Sequence, residues 1–222
     1  MPQSDERRPT KGIRKPDTAA EAVFINIPYD QEFERLYLAY IVGLSTLGLE
    51  PRATLGIPGG RRRLSRILDL IASCRYSIHD LSRVQLDRAA PRTPRFNMPF
   101  ELGLTVAWSE LNPNRHTWFV CETRERRALK SLSDLNGTDI QIHDGTVEGV
   151  MRELCNCFVA VGRQPNVPQM MRVYRTLRKR VDQLKDVARA RSLYEARLFR
   201  DLCYAAAALS RDPTVTLPTG PT

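Results

Sequence analysis

The stretch VFINIPYDQEFERLYLAYIVGLSTLG, residues 23–48, decides the fold. Its first five residues are an apolar run of strand length that stops at Pro28. Apolar residues then recur at helical spacing, at Phe33, Leu36, Tyr37, Tyr40, Ile41 and Leu44, with Asp30 standing where an N-cap belongs. A strand, a tight turn and a helix in that order open a βαβ unit.

The same alternation continues along the chain. LEPRATL (49–55) reads as a second strand, RRLSRILDLIASC (62–74) as a helix, and YSIHDLS (76–82) as a third strand. After an irregular stretch, NMPFELGLTVAW (97–108) reads as a helix with Asn97 as its N-cap and Pro99 tolerated in its first turn. HTWFVCE (116–122) is a fourth strand, RERRALKSLSDL (124–135) a short helix, TDIQIH (138–143) a fifth strand, and residues 145–162 a helix ending near Gly162. Strands alternating with helices of this length predict an α/β fold with a five-stranded, mainly parallel sheet covered on both faces.

The chain has 222 residues, enough for one sizeable core with an appendage. We divide it into a disordered N-terminal tail (1–21), the α/β domain (22–162), a basic helical extension (163–210) and a disordered tail (211–222). In the extension, Val173, Leu177, Val181, Leu184 and Ala188 keep a three-four spacing, and a second helix follows from residue 192. A helical hairpin packed on the sheet domain explains this more simply than a dimer seam or a nucleic-acid arm.

The net charge of +9 lies mostly there. Residues 163–200 carry eleven Lys or Arg against three acids, a net of +8. No apolar run approaches the ~18 to 20 residues of a membrane span, and the N-terminus has no apolar segment of a secretory signal. The five cysteines are odd in number and lack a CxxC, which points to reduced core thiols and a cytoplasmic protein.

In an open parallel sheet, ligands bind beyond the carboxyl ends of the strands, where the strand order reverses. The polar residues at those ends are Asn26, Tyr29 and Asp30 after the first strand, Asp80 and Ser82 after the third, and Arg95, Asn97 and Glu101 after the irregular loop. Carboxylates, an amide and a phenol suit the hydroxyls of a ribose. There is no GxGxxG, no GxxxxGK[ST] and no GxSxG, so neither a dinucleotide dehydrogenase nor a serine hydrolase is indicated. The three histidines are scattered, and no zinc spacing is present; no metal is expected. Glu101 is the conspicuous residue. Apolar residues surround it on every side of a helical wheel, and burying a carboxylate without a purpose is costly, so a site acid is the better explanation.

FINIPYD at the first strand, IHDLS at the third and FNMPFELGL at the following helix together resemble the nucleoside 2-deoxyribosyltransferase and TIR-like superfamily, most closely its bacterial TIR-like nucleotide-binding branch. The resemblance covers residues 22–162. It implies a flavodoxin-like, doubly wound sheet and a pocket for a nucleoside or nucleotide. It also implies that Glu101 acts on an N-glycosidic bond, with Asn97 shaping the pocket and Tyr29, Asp30 and Asp80 lining it. The sequence departs from the transferases at Arg95, where they carry an Asp, and at Asn97 and Met98. The resemblance further implies a setting in bacterial stress or antiviral defence.

Three functions follow as expectations. The first is cleavage of an N-glycosidic bond in NAD or a nucleoside, with Glu101 stabilising or attacking the anomeric carbon, Asp80 or Asp30 assisting, and no cofactor required beyond NAD or a nucleotide as substrate. The second is a catalytically silent nucleotide sensor that signals through its C-terminal helices, which would also mediate homo-oligomer formation. The third, less favoured, is nucleic-acid binding by the basic extension. No membrane partner is expected.

Overall fold

The structure is a computed structural model and describes residues 20–56, 62–84, 93–161 and 163–217. The elements run β1 (Ala22–Asn26), α1 (Glu34–Thr46), β2 (Glu50–Arg52), α2 (Arg63–Ser73), β3 (Tyr76–Asp80), α3 (Asn97–Leu111), β4 (Thr117–Glu122), α4 (Arg127–Ser131), β5 (Ile140–Ile142), α5 (Val147–Cys157), α6 (Val167–Ala188), α7 (Ala196–Arg211) and α8 (Pro213–Thr216). The five strands form one sheet in the order β2-β1-β3-β4-β5. Every pairing is parallel. This is the doubly wound, flavodoxin-like order, and it reverses between β1 and β3.

β1 is buried along its whole length because it lies between β2 and β3 with helices on both faces. Its side chains alternate. Val23 and Ile25 join the core beneath α1, whereas Ala22 and Phe24 pack with Ile67, Leu70 and Ile71 of α2 and with Leu104 and Trp108 of α3. By the same parity Asn26 faces α3.

α1 is a helix with no solvated face, since every residue from 36 to 46 is buried. The sheet lies on one side of it, and α5, α6 and α7 cover the rest. Its contact with α5 is close. A Cβ added at Gly43 would stand 2.3 Å from Leu154 Cδ1, so only hydrogen fits there without repacking.

The apolar stripe of the extension is spent inside the chain. Val173 and Leu177 are fully buried and Val181 nearly so, and they share one core with Tyr37, Ile41 and Leu198. The expected hairpin is therefore a fourth layer of the domain.

Several boundaries differ from the sequence reading. Asn97 is the first residue of α3, Phe96 occupies the cap position, and no side chain caps that helix. α5 ends at Cys157, and Gly162 lies outside the described residues. The stretch expected as a tail from residue 211 begins with the last residue of α7 and continues into α8, whose Asp212 cap accepts from the Thr214 N–H. There Arg172 donates to the Thr216 carbonyl at 2.5 Å, and Thr216 is buried. The rest of that tail, from 218, and the N-terminal segment 1–19 lie outside the described residues.

Candidate functional site

Asn26, at the end of β1, is 4% exposed. Its Nδ2 donates to His79 Nδ1 at 3.0 Å and to the Met98 carbonyl at 3.4 Å. His79 Nε2–H then meets Ser77 Oγ at 3.1 Å, Ser77 Oγ–H meets His116 Nε2 at 2.9 Å, and His116 Nδ1–H donates to the Cys74 carbonyl at 2.8 Å. The tautomers are assigned from this network, in which each donor finds an acceptor only if both rings are neutral. Burial pushes the His79 imidazole down to about 3, with His116 adding to the effect, so it stays neutral. Both amide hydrogens of Asn26 are thus engaged, which leaves Oδ1 as the acceptor end of the side chain.

A cavity of about 260 Å³ opens at the carboxyl end of β1. Asn26, Pro28, Tyr29, Thr54, Arg63, Arg95, Asn97, Met98 and Glu101 line it. Glu101, on the second turn of α3, is 3% exposed. Its Oε1 accepts from Arg63 Nη2 at 3.3 Å. Burial raises its carboxyl above the ordinary carboxylate range, and Arg63 opposes the rise. Burial likewise pushes the Tyr29 phenol up to about 12, against the Thr54 hydroxyl, so Tyr29 keeps its proton at neutral pH.

Five of the residues singled out in the sequence therefore meet at one cavity: Glu101, Asn26, Tyr29, Arg95 and Asn97. Asp30 stands behind it. Its Oδ1 caps the turn at Phe33 N (3.1 Å), and its Oδ2 holds Arg95 at 2.7 Å and Arg83 at 3.3 Å.

Asp80 and Ser82 are not at the cavity, and strand parity is the reason. Asn26 sits in register with His79, so the neighbouring position on β3, Asp80, points to the opposite face of the sheet, beneath α1. There Asp80 is wholly buried; Tyr40 Oη donates to its Oδ2 at 2.8 Å, the Ser82 N–H to its Oδ1 at 2.8 Å, and His143 Nε2 lies 3.1 Å from Oδ2. Ser82 Oγ also lies 3.1 Å from His143 Nε2, while His143 Nδ1 accepts from the Gly145 N–H. In a serine nucleophile's relay, hydroxyl and carboxylate engage opposite ring nitrogens; here they share one.

Thr54 and Arg63 were not singled out in the sequence. Thr54, two residues past β2, is within reach of the strand-end rule applied to that strand, whereas Arg63 opens α2 eleven residues past β2, where no strand-end count leads. Glu122, wholly buried at the end of β4, was also not anticipated; Arg127 Nε holds it at 2.8 Å, with further donation from the Thr123 N–H. Among the described residues, no group of three or more His, Cys, Asp or Glu could hold a metal ion, and no helix is long and apolar enough to cross a membrane.

No protein-family model matches the chain, and no curated protein matches it in sequence.

Proposed function

We propose that the chain binds a nucleoside or nucleotide in the β1–α3 cavity and cleaves its N-glycosidic bond. The observation that carries this reading is Glu101, a carboxylate 3% exposed that lines a cavity at the switch point of the sheet. As the C1′–N bond breaks, its electron pair leaves with the base and positive charge develops on C1′. Glu101 stabilises that charge or closes on the carbon as an ester. Water then supplies the hydroxyl at C1′ and releases a proton.

Among the described residues Glu101 is the sole carboxylate lining the cavity, and Asp30 is engaged by two arginines. A neutral base needs a proton to leave, whereas nicotinamide in a nucleotide is already cationic and needs none. The reading therefore favours a cationic leaving base. The cytoplasm, where five free cysteines stay reduced, is the compartment that fits.

The test is incubation of the purified chain with NAD, nicotinamide mononucleotide and a panel of deoxynucleosides, with chromatography of the released base. Turnover that falls about 100-fold or more in Glu101→Gln is the expected result. No released base from any of them at high enzyme concentration overturns it.

The second reading is a sensor without turnover, whose C-terminal helices report the bound ligand. It is favoured by a contact between the α6–α7 connection and the pocket loop, where Tyr194 Oη donates to the Asp30 carbonyl. Calorimetric binding with unchanged ligand would select it. The nucleic-acid reading has behind it Arg197, Arg200 and Arg211, which line a second groove between β2 and α7; its signature would be oligonucleotide affinity falling steeply with salt.

A further inference from the structure

The two arginines at the cavity are held differently. Arg95 grips Asp30 through Nη1 at 2.7 Å, the length of a strong charge-assisted bond. Arg63 touches Glu101 through one nitrogen at 3.3 Å, although guanidinium and carboxylate commonly form two parallel bonds of about 2.7 to 2.9 Å. The two ends of this pair also differ in solvation, with the Glu101 side chain 4% exposed and that of Arg63 56% exposed. Arg63 is thus largely solvated, and most of its five N–H donors are unused by Glu101. Arg95 is fixed.

The pair constrains the chemistry. A carboxylate that must face positive charge at C1′ is weakened while a guanidinium shares its charge. An incoming group that binds Arg63 better than Glu101 does would release it. A phosphate monoester carries about −1.5 to −2 charge at neutral pH and matches the planar fork of arginine, so it outcompetes a single weak carboxylate contact. The size of the cavity agrees. At about 260 Å³ it lies just below the usual range of about 300 to 1,000 Å³, which suits one nucleoside body with its phosphate at the rim and leaves a dinucleotide protruding.

We propose that the ligand is a nucleoside 5′-monophosphate and that Arg63 distinguishes it from the bare nucleoside: the phosphate draws the Arg63 guanidinium off Glu101 and frees the carboxylate to face the anomeric carbon. Arg95, through the N–H groups that Asp30 leaves unused, supplies the fixed second cation. The proposal rests on the glycosidic reading above and adds to it a substrate class and a specificity-determining residue.

The experiment compares matched pairs, nicotinamide riboside with nicotinamide mononucleotide and deoxycytidine with its 5′-monophosphate, on wild type, Arg63→Gln and Arg95→Gln. The specificity ratio is read from kcat/KM, and from calorimetric Kd where no base is released. Wild type is expected to prefer the monophosphate by about 100-fold or more, and Arg63→Gln to shrink the ratio below about 10-fold by weakening the phosphate ester and improving the nucleoside. In Arg63→Gln the acid limb of the nucleoside pH profile moves upward, because burial then raises the Glu101 carboxyl unopposed. A residue with only a structural role would not move that limb.

Wild type handling both members of each pair within about threefold, or an unchanged ratio in Arg63→Gln, overturns the proposal and leaves the glycosidic reading standing. Base release absent while the monophosphate still binds preferentially removes turnover and keeps the ligand class. Binding of neither member removes both.

Discussion

The Tyr194 hydroxyl donates to the Asp30 carbonyl at 2.6 Å, across 164 residues of sequence. The Tyr194 ring centroid lies 5.2 Å from that of Tyr29 and 4.9 Å from that of Tyr37. The connection between α6 and α7 therefore buttresses the loop that carries one cavity wall, Tyr29, and the carboxylate that fixes Arg95. Tyr194→Phe keeps the ring contacts and removes the bond, at an expected cost of about 0.5 to 1.5 kcal/mol in stability. Monophosphate affinity should fall as well, since the Asp30–Arg95 corner loses its brace. Urea unfolding and calorimetry on the same preparation check this. Stability that falls with affinity unchanged would confine Tyr194 to a structural role.

The extension cannot be cut away to test what the sheet domain does alone. α1 is buried on every side, and α6 and α7 supply the outer cover. Deleting residues 163–222 would expose that apolar helix and leave a patch of the kind that drives aggregation. The expected product is insoluble or molten, without near-ultraviolet circular dichroism. A well-folded truncated chain would contradict the four-layer architecture.

Glu101→Gln should stabilise the fold and, on the proposed glycosidic reading, abolish turnover. Burial raises the Glu101 carboxyl above its unfolded value, so the folded state holds a proton that the unfolded state has already lost. That contribution to stability is present at low pH and is lost as pH rises through the folded value. At pH 7 a neutral amide avoids the cost, and Arg63, 56% exposed, is left in water. We expect a gain of roughly 0.5 to 2 kcal/mol, typical when a destabilised functional residue is neutralised. Thermal unfolding at pH 5 and pH 8 checks the sign, with the larger gain at pH 8.

Gly149 has no room for a methyl group. A Cβ there would meet the His143 carbonyl oxygen at 2.0 Å and Thr146 Oγ1 at 2.8 Å, and the first of these is backbone that cannot rotate away. Gly149→Ala must displace either the start of α5 or the turn that holds His143 against Asp80. An expected loss of at least ~2 kcal/mol, measured by urea unfolding, exceeds an ordinary surface substitution.

Much of this architecture was legible because apolar runs and helical spacing report burial directly. Residues 23–48 announced β1 and α1, and the strand-end rule brought Asn26, Tyr29, Arg95, Asn97 and Glu101 to one cavity. The rule fails at Asp80 because it counts distance along a strand and ignores parity. Ile78 packs beneath α1 and Asp80, two positions on, must follow it. The pairing register that assigns faces comes from contacts between strands far apart in sequence, and no local pattern prints it. The extension was harder still. A three-four apolar stripe favours an intramolecular layer as the simpler account, but only the partner, here the core around Tyr37, Ile41 and Leu198, separates that layer from a dimer seam.

The neutral state of His79 carries the last prediction. Its ring is wholly buried, and burial pushes the imidazole from an ordinary 6.5 down to about 3. An unfolded chain therefore binds a proton near pH 6.5 that the folded chain refuses until much lower pH. The contribution is fully present above pH 6.5 and is lost as pH falls toward 3, amounting to on the order of 4 to 5 kcal/mol across that window. His116, also held low by burial, adds in the same direction. The urea midpoint should drop steeply between pH 6.5 and 4, and His79→Gln should flatten the drop, with the residual slope belonging to His116. Protonating His79 in the folded chain, as pH approaches 3, also removes the acceptor that holds the Asn26 amide at 3.0 Å, so ligand affinity should hold through the stability window and weaken only near its acid end. An unchanged slope in His79→Gln would show that the acid sensitivity arises elsewhere and that His79 is not the buried base of the Asn26 relay.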